Sequence, residues 1–245
     1  MPNNKALLFV KLDPPMNKLS EFNNWYNNRH IPDRLNLPGF LSARRFTLIG
    51  GTPKEYAIVP EAEYLALYDL TSIKALKDKP YQQLREKEFK LPPESFETQI
   101  FKLPRFARGV YEQIYPEKEE YIDPRSKFVF VVGHEVPRNR HQEFNVWYNT
   151  EHIPALLAVP GFLGVRRFRL NEHDIPPLVD RGGTVSTYLT IWDMENESAL
   201  DSEAFRKASR SPWTDWIRSW YTRKICALYR CTFPKRSRNA SKVAD

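Results

Sequence analysis

The chain has 245 residues, of which 41% are hydrophobic, 27% charged and 13% aromatic. That balance excludes a disordered or fibrous protein, and the length allows one large domain or two small ones with a core that needs no disulfide support. The net charge of +7 comes from basic residues interleaved with acids along the chain, which argues against a nucleic-acid-binding stripe; the densest basic run, Pro234 to Lys242, is a polar C-terminal tail.

The opening stretch "MPNNKALLFVKLDPP" has too short an apolar run for a signal peptide, and no segment reaches the apolar length of a membrane span. The two cysteines, Cys226 and Cys231, lie five apart on a strand-like stretch and point to opposite faces, beyond disulfide reach. The expectation is a cytoplasmic protein with reduced thiols and no membrane partner. No phosphate loop, dinucleotide turn or nucleophile elbow is visible, and no Cys/His cluster has zinc spacing. Neither a cofactor nor a metal is expected.

In chain order, a Val/Phe/Leu-rich strand comes first, in "KALLFVKLDPP". A helix follows from about Ser20, with Leu19, Phe22 and Tyr26 at three-to-four spacing. "PGF" makes a turn and "LSARRFTL" alternates as a second strand. A third strand is expected over Tyr64–Leu70, a second helix over Ser72–Lys87 and a last strand over Arg105–Ile114. The connection "LPPESFETQIFKLPRF" is expected to wrap across the rest of the molecule.

The order then repeats. Shifted by 122 residues, Glu21–Leu48 and Glu143–Leu170 are identical at 18 of 28 positions. The second copy has its first helix near Asn139, a third strand over Tyr188–Met194, a helix over Ser198–Ala208 and a last strand over Lys224–Phe233. Two units this long are a duplicated domain rather than a solenoid. The boundaries expected are residues 1–120, 121–235 and a basic tail over 236–245.

Each β-α-β-β-α-β unit is a split βαβ, or ferredoxin-like, arrangement: an antiparallel sheet with helices on one face. The bare, aromatic-rich faces would make large exposed apolar patches. The α+β fold expected is therefore two ferredoxin-like units in tandem, their sheets packed face to face as an intramolecular α/β barrel. A pocket is expected between the sheets.

"NWYNNRHIPDRLNLPGFLSARRF" and "VWYNTEHIPALLAVPGFLGVRRF" resemble the signature of the EthD-like branch of the dimeric α/β-barrel superfamily, over nearly the whole chain. The resemblance implies a small enzyme or binding protein handling aromatic or hydrophobic carbonyl compounds. Wider relatives include isomerases, monooxygenases, dehydratases, decarboxylases and haem-binding enzymes, so the resemblance leaves the reaction open.

The candidate catalytic residues are His30 with Tyr26, His152 with Tyr148, and His134. Pro32 and Pro154 should break the helix near each histidine and leave it at a helix C-terminus, where the dipole favours imidazolium. Such a histidine either acts as a general acid or base or caps the broken helix. The copies diverge around it: Arg29, Asp33 and Arg34 become Glu151, Ala155 and Leu156. One reading makes His30, beside Asp33 and Arg34, the reactive centre; the rival makes a buried His152 reactive. His134 stands where the first copy has Leu12, while His141 and His173 read as solvent-facing.

Candidate substrate-binding residues are Trp25 and Trp147, Tyr68 and Trp192, Asp33, Arg34, and one arginine of each strand pair, Arg45 and Arg167. The paired arginines also have natural structural partners in Asp69 and Asp193. "SPWTDWIRSWY" (Ser211 to Tyr221), with three tryptophans and no counterpart in the first copy, would cap the cavity mouth or form the subunit contact of a homodimer. The function expected is a cofactor-independent lyase, dehydratase or isomerase using histidine acid/base chemistry on a small hydrophobic or aromatic carbonyl or phenolic compound. A non-catalytic ligand-binding protein is the alternative, and a monooxygenase or haem enzyme stands behind both.

Overall fold

The computed structural model describes residues 5–49, 61–117, 123, 125–179 and 183–237. The first half runs β1 (Ala6–Leu12), α1 (Leu19–Trp25), α2 (Ile31–Leu35), β2 (Phe40–Leu48), β3 (Tyr64–Leu70), α3 (Lys79–Phe89), α4 (Phe96–Gln99) and β4 (Ala107–Tyr115). The second runs β5 (Phe128–Glu135), α5 (His141–Trp147), α6 (Ile153–Leu157), β6 (Phe162–Leu170), β7 (Leu178–Val179), β8 (Tyr188–Met194), α7 (Glu203–Ala208), α8 (Pro212–Arg218) and β9 (Thr222–Ser237).

Eight of these strands form one closed antiparallel ring in the order β1-β3-β2-β9-β5-β8-β6-β4, with β4 returning to β1; β7 adds two residues beside β4. Closure comes from two seams between the halves. On one, Phe46 faces Cys231; on the other, Tyr111 faces Leu170. The expected pair of separate sheets is therefore corrected. An open four-stranded sheet would leave two edges of unpaired backbone groups, and pairing each edge with the other half removes them all.

The expected hollow between the sheets is also absent. Strand residues facing inward, including Leu7, Phe9, Phe46, Phe168, Ile191 and Tyr229, pack into a solid core at no more than 1% exposure. In a barrel of eight strands side chains suffice to fill the interior. The helices lie on the outer face of the strands over two further cores, one per half, and the cavities are there.

At one end of the barrel interior the strand arginines cross between halves. Arg44 donates to Asp193 Oδ1 at 2.6 Å, and Arg166 donates to Asp69 Oδ1 at 2.6 Å. Ser42 and Ser126 add hydroxyl bonds to Asp69 (2.5 Å) and Asp193 (2.8 Å). Burial alone would raise the Asp69 carboxyl; Arg166, then Arg44 and Ser42, bring it to about 2 instead.

The repeated "HIP" does not break the helix. Between α1 and α2 the chain widens into a π-turn over Tyr26–His30, and the Ile31 N–H reaches back to the Tyr26 carbonyl. The second copy does the same over Tyr148–His152, with Ile153 bonded to Tyr148. Pro32 and Pro154 sit at the start of α2 and α6, where a missing N–H costs nothing, and the wider turn gives the ring room. The "PGF" turns need glycine, since Gly39 and Gly161 have φ of +82° and +101°.

Three smaller expectations change. The 91–106 connection packs on its own half, where Phe96, Ile100 and Leu103 join the core around Phe22. The last strand extends to Ser237 along β2, so the tail expected from 236 begins later; residues 238–245 lie outside the described residues. His141 is half-buried, its Nε2 at 3.0 Å from the Val136 carbonyl oxygen. No helix among the described residues is long and apolar enough to cross a membrane.

Each crossed pair is buried, so removing one partner strands a charge. Asp193→Ala is expected to lower stability by about 3–5 kcal/mol in urea unfolding. The double change Arg44→Met with Asp193→Leu should cost far less. Equal losses from the single and the double would show that the pair is not what holds this end together.

Candidate functional site

The repeated motif builds the same scaffold twice. The π-turn inserts one residue, and this brings the tryptophan, tyrosine and histidine of the motif together. In the first half Trp25 and Tyr26 lie 4.5 and 4.6 Å, ring to ring, from His30. In the second, Trp147 stacks on His152 at 4.6 Å and Tyr148 stands edge-on at 4.9 Å. An arginine from the neighbouring strand clamps each tyrosine from beneath. Arg45 lies 4.2 Å over Tyr26 and donates to Asn27 (2.6 Å) and Asn23 (2.8 Å). Arg167 lies 4.1 Å over Tyr148 and donates to Asn149 (2.5 Å) and Asn145 (2.8 Å). Both guanidiniums face the helices and hold them to the barrel.

From there the halves part. In the first, Arg34 donates to His30 Nδ1 at 2.9 Å and to both oxygens of Glu88 at 3.0 and 3.1 Å, while Arg85 donates to Glu88 at 2.6 Å. His30 Nδ1 is thus an acceptor, and its ring is tied into a neutralised cluster. Burial first, then Arg34 and Arg85, push its pKa well below the usual value. The cavity here is lined by His30, Arg34, Tyr26 and Tyr68, with Arg85 and Arg108. Asp33 lies on a separate outer groove with Arg29 and Glu97.

In the second half Leu156 stands in place of Arg34, and His152 has no such tie. A cavity opens between the outer face of the strands and the helices. Phe130, Val132, Leu156, Trp192, Leu200 and Phe205 make its apolar walls. His134, His152, Tyr148, Arg218, Tyr221 and Arg223 supply its polar groups. His134 is 2% exposed, its ring 4.6 Å from Tyr221. Burial first, then Arg218, Arg223 and Arg167, push His152 down to about 3. Burial first, then Arg223, push His134 well below its ordinary value. The helix-terminus expectation of an imidazolium is corrected: desolvation and nearby guanidiniums outweigh a dipole effect of about 1 kcal/mol. Both rings stay neutral.

The cavity thus gathers His134, His152, Tyr148 and Trp192 from the sequence candidates. Tyr26, His30, Arg34 and Tyr68 meet in the other half, and Trp147 and Arg167 support the site from behind. Tyr221, Arg218 and Arg223 went unrecognised. Arg218 and Tyr221 come from the segment without a repeat counterpart, and that mismatch between copies was the available signal; Arg223 stands at the start of β9. The α8 end of this segment is fastened by Glu151, which accepts from Ser211 Oγ at 2.5 Å and from Trp147 Nε1 at 3.3 Å.

Among the described residues no group of three His, Cys, Asp or Glu side chains is arranged to hold a metal ion. Among the described residues, Nδ1 of His134 and of His152 is buried with no partner within hydrogen-bond distance.

No protein-family model matches the sequence, and comparison with curated proteins finds no match. Solved structures do match. An anthrone oxidase-like protein is 14% identical, with a TM-score of 0.63 over 99% of this chain and 97% of that one. A protein named as a monooxygenase from Fusobacterium nucleatum is 10% identical, with a TM-score of 0.53 over 96% and 97%. Chlorite dismutase from Candidatus Nitrospira defluvii is 9% identical, with a TM-score of 0.52 over 95% and 92%. At these identities the likeness carries the fold, and the chain has that of the dimeric α/β barrels. The expectation of a lyase, dehydratase or isomerase is overturned here, because the proteins of this shape carry the names of oxidative enzymes.

Three imidazoles are neutral in the folded chain, whereas an unfolded one titrates near 6.5. Below that pH the unfolded chain binds more protons, so their contribution is complete above about pH 6.5 and is lost as pH falls toward about 3. The melting temperature should fall steadily from pH 7 to pH 4.5, and less steeply for His152→Gln. An identical slope in the variant would mean that His152 is already protonated when folded.

Proposed function

We propose that this chain is an oxygen-dependent oxidase of hydroxylated polycyclic aromatic compounds of the anthrone kind, acting in the cavity of its second half. The observation that carries the reading is that cavity itself. It has flat aromatic and aliphatic walls, two neutral imidazoles and a guanidinium-bearing end. The name of the anthrone oxidase-like neighbour supports the substrate class.

The substrate would be a ring system whose CH₂ group is acidified by conjugation with an aryl ketone. A neutral imidazole, His152 or His134, accepts one proton from that carbon. The negative charge delocalises onto the ketone oxygen, where Arg218 and Arg223 stabilise it. Dioxygen takes up an electron from the carbanion and recombines at carbon, giving a hydroperoxide once protonated. Loss of the second C–H proton and cleavage of the O–O bond leave a new C=O and release water. The sum is R₂CH₂ + O₂ → R₂C=O + H₂O, so dioxygen is the sole oxidant.

The strand and helix order of each half, and the EthD-like signature, support reading 1–120 and 121–235 as duplicated ferredoxin-like units. The first then serves as a closed structural partner. Cys226 and Cys231 are not joined to one another, which supports a reducing, cytoplasmic setting.

Anthrone loss should consume oxygen one for one above the uncatalysed background and stop under argon. His152→Gln and His134→Gln should each lower kcat by about 10²-fold or more. Wild-type turnover in the double variant would remove the assignment.

A further inference from the structure

The oxidase reading leaves the charge of the substrate open. Among the described residues the lining of the second half's cavity has no aspartate or glutamate, yet Arg218 and Arg223 both reach it. Glu151, next to His152 in the chain, is occupied with Trp147 and Ser211. Arg218 forms no ion pair among the described residues, and its Nε is buried without an acceptor. Arg223 donates to Tyr221 Oη at 3.1 Å, which points that phenol and the guanidinium at the same end of the cavity.

The first half shows what a carboxylate-paired version looks like. There two arginines, Arg34 and Arg85, flank the histidine and share Glu88. The second half has the guanidiniums without a carboxylate for Arg218 among the described residues. A positive charge held against an apolar wall is unfavourable unless an anion joins it. Each of the two histidines adds a neutral ring and no compensating charge.

We infer that this cavity selects aromatic ligands carrying one negative charge, an ionised phenol or a carboxylate, with the oxyanion seated against Arg218 and Arg223 and the rings against Trp192, Phe130 and Phe205. The inference rests on the reading of the second half as the substrate site, but it does not need turnover. The selecting charges come from the end of α8, in the segment the first copy lacks, and from the start of β9.

Three probes of one shape separate the alternatives: 2-naphthoate, 2-naphthylmethanol and 2-naphthylmethylammonium. Their binding is read from quenching of tryptophan fluorescence under argon at pH 7.5. A charge-assisted bond should make naphthoate bind about tenfold or more tighter than the alcohol, and the ammonium weakest. Arg218→Gln with Arg223→Gln should erase that preference while leaving the alcohol within about twofold, and Arg218→Lys should keep part of it. Equal binding of all three probes by the wild-type chain overturns the inference without any variant. So does a preference that survives both substitutions in protein with a native near-ultraviolet spectrum. A chain that prefers naphthoate but fails to oxidise anthrone refutes the oxidase reading alone; one that oxidises anthrone with no anion preference refutes this inference alone.

Discussion

The pairing of each half's sheet edges with those of the other is the constraint from which the rest follows. The seams β2–β9 and β4–β6 close the ring, and closure leaves a bore that side chains fill completely. A ligand therefore has no room inside the barrel. Any site must form on the outside, where helices lean on the strands and the sealing of the space depends on what those helices carry. Around the histidine the copies differ in charge, as where Arg34 becomes Leu156, whereas inward-facing positions such as Leu7 and Phe9 change to other apolar residues, Val129 and Val131.

The two copies use one scaffold for opposite ends. The stacked Trp–Tyr–His group, the π-turn and the arginine clamped between two asparagines recur almost unchanged. In the first copy Arg34 and Glu88 fill the space beside the imidazole with matched charges. In the second, Leu156 withdraws that charge, and a foreign segment brings guanidiniums from another direction. The same imidazole is tied to a guanidinium in one setting and has no such tie in the other, so the motif alone does not define chemistry.

Much of the fold was legible in the sequence. The strands, the duplication and the PGF turns follow from period-two alternation and from a glycine that must take a positive φ. The closure was not, because edge pairing joins segments such as 40–48 and 222–237 that share no local pattern. Pro32 and Pro154 were misread as breakers because a π-turn satisfies the same steric demand without ending the helix. The site was half legible. His134, His152, Tyr148 and Trp192 stood out through the repeat or a departure from it, whereas Arg218 belongs to no repeat and Arg223 opens a strand with no signal of its own. The charge state of the imidazoles could not be read at all, since it depends on how deeply they are buried and on guanidiniums distant in sequence.

The crossed bridges between Arg44 and Asp193 and between Arg166 and Asp69 obey a reciprocal rule: each copy's arginine answers the other copy's acid. A two-fold pair of identical short chains would satisfy that rule equally well. Joining the copies into one polypeptide therefore required no new electrostatics at this end of the barrel. It removed instead the obligation of likeness, because a symmetric pair must carry every change twice and a fused chain can keep one copy inert while the other specialises.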